Sequence, residues 1–318
     1  MTKRLVTVGD LVLDLLLDVR LPVAADAHQM PPTLLLEPGG ACSTILAARN
    51  LGLDVAALGA VGADFPGRML LDILVEAGVD TSALWVPAGS TTTTVIALSD
   101  RMRGGHVFLG NYGEGPEIPM TDLARQQLKL ADALFIAGYS LVEERLRPLI
   151  DGVLAVFRDS PTPLYVDVGP FLDQLERAKL ERVLDATDVL LLTEDEIPLV
   201  SGGETGIEAC QRLLHRWPSL LIVLKLAENG CRIMTSEIDK HCPGFAVAVV
   251  DTIGAGDVFA AAFIWSRFQG YALADCGTIA NAMGAVSVTK SGAGRRAPTC
   301  SEIQALLDAH KTGLQLSC

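Results

Sequence analysis

Residues 251–264 read DTIGAGDVFAAAFI, and most of the chain's chemistry is concentrated there. Gly254, Ala255 and Gly256 stand between the polar pair Asp251/Thr252 and Asp257, and an alanine-rich helical run follows at once. Glycine permits positive φ and a close approach of backbone to ligand, while the first turn of a helix leaves N–H groups unpaired under a partial positive charge. A tight turn opening into a helix in this way holds an anion. Asp257 stands at the mouth of that site, where a carboxylate is out of place unless it handles a proton or a metal. It reads as a general base beside a phosphate. The simpler role is a helix N-cap, which Asp commonly fills, so the rest of the chain must decide.

The elements that would position these groups show in the apolar runs. ALFIAGY (133–139), PLYVDV (163–168), VLLLT (189–193) and LLIVLKL (220–226) alternate with amphipathic stretches, as expected for a parallel sheet covered on both faces. Several of these runs end in polar or small residues: Asp167 and Gly169, Thr193 to Glu196, Lys225 to Gly230. Ligands of open parallel sheets bind beyond the carboxyl ends of the strands, so these ends point to one cleft. In the N-terminal part, VTVGDLVLDLLLDV (6–19) and STTTTVIALSD (90–100) read as strands standing apart from the main sheet, with HQMPPTLLLEPGG (28–40) as a long loop between elements. They suggest a small β lid over the cleft, formed from about 10–37 and 90–116. ACSTILAARNLG (41–52) has helical spacing, and RMLLDILVEAGVDTSAL (68–84) reads as a helix ending near Gly78. Without repeats or a linker, residues 1–318 are expected to form one α/β domain with the lid inserted.

Half of the 318 residues are hydrophobic, enough for a large core. The net charge of −13 repels nucleic acid and anionic membrane, so neither is expected as a partner, and an anionic substrate needs a local positive site. No apolar run reaches a membrane-spanning length and no signal peptide is evident, which predicts a cytoplasmic protein. The seven cysteines show no C-x-x-C pair and are expected to be free thiols, with Cys42 as core filler. The five histidines have no metal-type spacing, and most are expected at the surface.

GDLVLD (9–14), PGGACSTILAARNLG (38–52), VGADFPGRML (61–70) followed by EAGVDTS (76–82), LLLTEDE (190–196), DTIGAGDVFAAAF (251–263) and ANAMGAVSVTKSGAG (280–294) occur in the order seen in one family. Together they resemble the ribokinase-like (phosphofructokinase B, PfkB) kinases of carbohydrates and nucleosides, across nearly the whole chain. The resemblance implies a three-layer α/β/α fold with a mainly parallel sheet and a β lid. It also implies transfer of the ATP γ-phosphoryl group to a sugar hydroxyl with Mg2+, a monovalent cation such as K+ in many members, and homodimerisation through the lid.

Residue by residue, the resemblance makes Asp257 the base and the N–H groups of Gly254, Ala255 and Gly256 the stabilisers of the transferred group. Asp14 matches a substrate-binding Asp. It lies on the same strand face as Asp10, and its carboxylate can accept from two sugar hydroxyls; Asp10 and Asp18 are read as structural. Gly39 and Gly40 bring backbone close to the substrate. Ser43 stands where the family has Asn, and is shorter with fewer hydrogen-bonding sites, which alters the expected sugar specificity. Thr193 and Glu196 occupy the N-x-x-E position, with Thr in place of Asn; Glu196 is either the carboxylate that orients magnesium-bound water or an exposed helix-start acid. Lys225 either reaches a phosphate or is solvated. Gly230, Thr252 and Asn281 match the nucleotide side. A nucleoside kinase, with Phe108 and Tyr112 as a base platform, is the runner-up, and a non-catalytic sugar- or nucleotide-binding regulator the third reading. For a phosphorylated sugar, the cations at hand are Arg101, Arg103 and Lys290.

Overall fold

The computed structural model of the protein describes residues 2–317 apart from Ala27, Arg101, Gly104, Asp159 and Ala293. Twelve strands among the described residues form two sheets. The eight-stranded sheet contains β1 (Arg4–Val8), β4 (Asp54–Leu58), β7 (Ala133–Ala137), β8 (Leu164–Asp167), β9 (Val189–Thr193), β10 (Leu221–Lys225), β11 (Cys231–Met234) and β12 (Asp239–Cys242). Its order is β12-β11-β10-β9-β8-β7-β1-β4, parallel from β4 to β10, with an antiparallel β11/β12 hairpin at one edge. The second sheet has β2 (Leu11–Asp18), β3 (Leu34–Gly40), β5 (Thr94–Ser99) and β6 (His106–Asn111), in the order β3-β2-β5-β6.

Strand alternation builds two cores. Leu5, Val55, Phe135, Leu191 and Val223 face one side, packed under α1 (Ala41–Asn50), α2 (Phe65–Glu76), α8 (Ala255–Phe268), α9 (Leu273–Ser287) and α10 (Cys300–Ala309). Val6, Leu58, Ile136, Leu192 and Leu224 face the other, under α3 (Asp122–Leu130), α4 (Arg147–Phe157), α5 (Arg177–Ala186), α6 (Ile197–Ser201) and α7 (Gly206–Arg216). A sheet buried on both faces takes continuous aliphatic runs, which explains the composition of its strands and makes three layers.

Two expectations for the N-terminal part need correction. The run 6–19 is not one lid element: β1 belongs to the main sheet, between β4 and β7, and the chain leaves for the small sheet at Gly9–Asp10. The segment 28–40 is not all loop, since its last seven residues are β3, antiparallel to β2. The parallel sheet also begins before residue 130, with β1 and β4. The strand order turns back between β1 and β7, which places the crevice beyond their carboxyl ends. There the N–H of Asp10 donates to Ser140 Oγ (2.9 Å).

Cys42, Cys210, Cys231, Cys242 and Cys276 are free and buried; Cys300, against expectation, is disulfide-bonded. Cys318 lies outside the described residues. All five histidines are exposed. No helix among the described residues is long and apolar enough to cross a membrane.

Candidate active site

The anion turn forms as its residue types require. Gly254 adopts φ 74° and caps α8, whose first turn carries Ala255, Gly256 and Asp257. Asp251 braces the turn from below: its carboxylate accepts from the N–H of Ile253 and, across 41 residues, from that of Gly292, each at 3.1 Å. Thr252 is exposed, and its carbonyl accepts from the Ala255 N–H.

Asp257 faces α1, which packs against α8. Burial pushes its carboxyl up to about 7; Asp167 and Asp14 add to the shift, while Lys225 and a hydrogen bond from Ser43 oppose it. Ser43 is buried, with its hydroxyl also directed at the Pro38 carbonyl (3.4 Å). Where the resemblance would place Asn, this chain thus has a short hydroxyl that holds Asp257.

Asp14 projects from the small sheet with Glu37 directly opposite it on β3. Burial, then the charge of Glu37, pushes its carboxyl up to about 7. Its carboxylate lies over Gly39, where an added Cβ would stand 2.1 Å from Asp14 Oδ2. Gly40 has φ 55° and approaches the Asp10 carbonyl so closely that a Cβ would meet it at 2.6 Å. Both glycines are therefore required by contacts at the junction between the small sheet and α1.

The strand ends of β8, β9 and β10 deliver a second charged group. Lys225 Nζ forms an ion pair with Asp167 at 2.5 Å. Burial works against the ammonium, but Asp167, Glu196 and Asp257 outweigh it and raise its pKa. Lys225 also lies under the anion turn, 3.5 Å from where a Cβ on Gly256 would be. It is therefore no solvated surface lysine. Glu196, raised by burial against the pull of Lys225, accepts from the Thr193 N–H at 2.7 Å. Thr193 fixes Glu196 through its backbone, a contact that does not depend on the missing Asn side chain.

Two residues that the sequence did not single out join this cluster. Asp167 was visible only as a polar strand end, and Tyr139 as the end of the ALFIAGY run. The Tyr139 phenol is pushed up by burial and by the surrounding Asp257, Glu196, Asp167 and Asp14, and its ring meets Phe171 edge-on at 5.9 Å. Gly230 and Asn281 stand elsewhere, bracketing residues 242–244. Gly230 (φ 90°) leaves no room for a Cβ beside the Cys242 carbonyl, and Asn281 Nδ2 donates to the carbonyls of Cys242 (2.9 Å) and Pro243 (3.1 Å). Phe108 packs on His106 in β6. Lys290 pairs with Glu302 at 2.6 Å, and the Arg103 guanidinium donates to the Leu21 carbonyl (3.4 Å). Arg101 lies outside the described residues.

One cleft thus joins a helix-terminal anion turn, a carboxylate poised to titrate near neutrality, a buried lysine and a second carboxylate suited to hydroxyls. Residues 2–300 match the family model described as pfkB family carbohydrate kinase. The chain belongs to that family. It is 28% identical over 321 residues to probable fructokinase-5 of Arabidopsis thaliana, covering 96% of this chain and 98% of the relative. It is 26% identical to fructokinase-1 of Oryza sativa subsp. japonica, covering 93% and 96%. Among solved structures, a putative ribokinase from Agrobacterium tumefaciens superposes with a TM-score of 0.84 at 25% identity, covering 98% of this chain and 99% of that one. The fold is shared with a putative ribokinase II from E. coli in complex with ATP and Mg2+ (TM-score 0.82, 22% identity, 98% and 100% covered). This pfkB kinase is accordingly an ATP-dependent phosphotransferase acting on a carbohydrate alcohol group, and the nucleoside-kinase and regulator readings are not favoured.

Proposed function

We propose that this kinase phosphorylates a hydroxyl of a small neutral sugar of the fructose or ribose type, with Asp257 as the general base. The observation that carries this reading is Asp257 itself. It lies on the first turn of α8, next to the anion turn, with its carboxyl held at about 7 by burial and neighbouring acids. A base with a pKa near the working pH combines availability with proton-accepting strength. Asp14, with Gly39 and Gly40 beneath it, orients the sugar. As the hydroxyl oxygen bonds to the γ-phosphorus and the bond to ADP breaks, Asp257 accepts the hydroxyl proton. The N–H groups of Gly254, Ala255 and Gly256 stabilise charge on the transferred group. Lys225, held by Asp167, faces the same charge.

Glu196 and Asp167 supply the hard oxygens that suit Mg2+, which prefers one or two carboxylates together with substrate phosphates. Bound there, the ion would neutralise phosphate charge. For K+, the anionic group beside the turn is Asp251. Gly230, Asn281 and Thr252 shape the nucleotide side, the first two by fixing the backbone at 242–244. The small sheet acts as a lid within a single domain, and the enzyme works in the cytoplasm.

The test is ADP release with Mg2+ and ATP across a panel of sugars, in the wild type and in Asp257→Asn. We expect turnover of a neutral sugar, with kcat lowered at least about 100-fold in the variant, as for loss of a general base. Full turnover by Asp257→Asn would refute the assignment.

A further inference from the structure

Behind α1 lies a surface cleft of about 720 Å³ lined by Asn50, Lys290, Arg295, Arg296, Thr299 and Glu302 among others. Asn50 is at the far end of α1 from Ser43, about 10 Å away at ~1.5 Å per residue, so that end of the cleft lies away from Asp257, while Lys290 and Ser291 adjoin Gly292, whose N–H donates to Asp251. Its charges are three cations against one carboxylate, in a chain whose net charge is −13. The acid is already engaged: Glu302 pairs with Lys290 and accepts from the Thr299 N–H (2.8 Å). Among the described residues, Arg296 makes one bond, to the Ser291 carbonyl at 3.2 Å, and is otherwise exposed.

Arg295 links this cleft to the lid. Its Nη2 donates to the Leu36 carbonyl (2.7 Å), and its Nε and Nη2 reach the Glu37 carboxylate (3.3 and 3.4 Å). Glu37 is 4% exposed, and it stands directly opposite Asp14. A buried carboxylate that loses its cation becomes an uncompensated charge, and here that charge falls beside the sugar-orienting Asp14.

We propose that this cleft is a binding site for a phosphate monoester, and that Arg295, shared between cleft and lid, transmits its occupancy to Glu37 and Asp14. A dianionic phosphate suits the spread of guanidinium and ammonium donors around the cleft, because arginine recognises phosphate by charge-assisted, bidentate hydrogen bonds. Drawing Arg295 towards the phosphate weakens its hold on Glu37, which disfavours ionised Asp14 and weakens sugar binding. The transmission rests on the reading of Asp14 as a sugar ligand; the site does not.

Glucose 6-phosphate and, separately, inorganic phosphate are titrated calorimetrically into wild type, Lys290→Ala/Arg296→Ala and Arg296→Glu, at ionic strength fixed with sodium chloride. The last variant leaves the Lys290–Glu302 pair intact and guards against loss of folding. We expect the ester to bind the wild type at least ten-fold more tightly than either variant, and the free anion to bind more weakly than the ester. Equal binding to wild type and variants overturns the site, and free phosphate binding as tightly as the ester overturns the assignment to a monoester. In the kinase assay, the ester should raise the sugar KM several-fold in the wild type, leaving kcat and the ATP KM unchanged, and should have no such effect in the variants. Binding that is lost in the variants but leaves the sugar KM unmoved overturns the transmission through Arg295. An enzyme silent towards all sugars would speak against the kinase reading, while the calorimetry would still decide the site.

Discussion

Asp14 and Asp257 are two carboxylates brought by different elements to one cleft, both pushed up to about 7, with the charge of Asp14 contributing to the shift of Asp257. In the roles proposed for them, each must be ionised to work, one to accept from sugar hydroxyls and the other to take a proton. The free-enzyme profile of kcat/KM should therefore rise with pH through about 7, and this limb belongs to the coupled pair. Asp14→Asn removes one negative neighbour and should move the remaining limb to lower pH, besides raising the sugar KM. A limb that stays in place would separate the two groups. Stability follows the same shifts with the opposite sense for function. Because the folded pKa values exceed the unfolded value of 3.8, protons bind more tightly to the folded state. The resulting stabilisation is full below the unfolded pKa and is lost as pH rises through about 7. Replacing Asp14 by Asn should therefore stabilise the fold at pH 8, by roughly 1–3 kcal/mol, as relief of a buried, like-charged acid. Denaturant titrations of both proteins at pH 5 and pH 8 measure this, and an equal difference at the two values would contradict it.

At the scale of elements, the site depends on strand β3, which the sequence concealed. The Pro-Pro pair and the glycines around LLLE read as loop chemistry, whereas pairing with β2 is a non-local matter that no local pattern records. The break inside 6–19 was hidden for a similar reason. Both halves are aliphatic strands, and the chain changes sheets where Gly9 donates to the Leu58 carbonyl, Asp10 to Ser140 and Ala41 to the Asp10 carbonyl. Where the pattern was local, it was legible: α1, α8 and the strands β7 to β10 lie where spacing and composition put them. Lys225 and Glu196 were legible as polar ends of such runs, and Asp257 as the carboxylate closing the glycine turn ahead of α8. Tyr139 and Asp167 follow one too, but acquire a role only through neighbours far away in sequence. The β3–α1 junction offers a test of geometry without a change of charge. Gly39→Ala puts a methyl 2.1 Å from where Asp14 Oδ2 lies, so the carboxylate must move. We expect a sugar KM raised about 10- to 100-fold, as for a ligating group displaced by an ångström, with the ATP KM unchanged. Equal effects on both substrates would mean that the whole junction had shifted.

The molecule as a whole leaves one surface unexplained by a single chain. In the small sheet, register places Leu17, Leu34, Leu98 and Val107 in one row across the four strands, and Leu15, Leu36, Ile96 and Leu109 in the next. Residues directly opposite share a face, so these two rows form one aliphatic surface. Leu34, Ile96, Val107 and Leu109 are exposed on it, and β6 is an edge strand exposed along its whole length. Open sheet edges and apolar patches of this kind are covered in stable proteins. A second copy of the chain presents the same apolar face and edge strand, so self-pairing is the coverage expected here. We therefore expect sedimentation at micromolar concentration to give about twice 33.7 kDa, and Leu109→Glu to give the monomer mass. Because a lid held by its twin is also held in shape over the sugar, the monomeric variant should show a raised sugar KM at low protein concentration. A wild type that sediments as a monomer, or a Leu109→Glu variant that stays dimeric, would remove this face from the account of assembly.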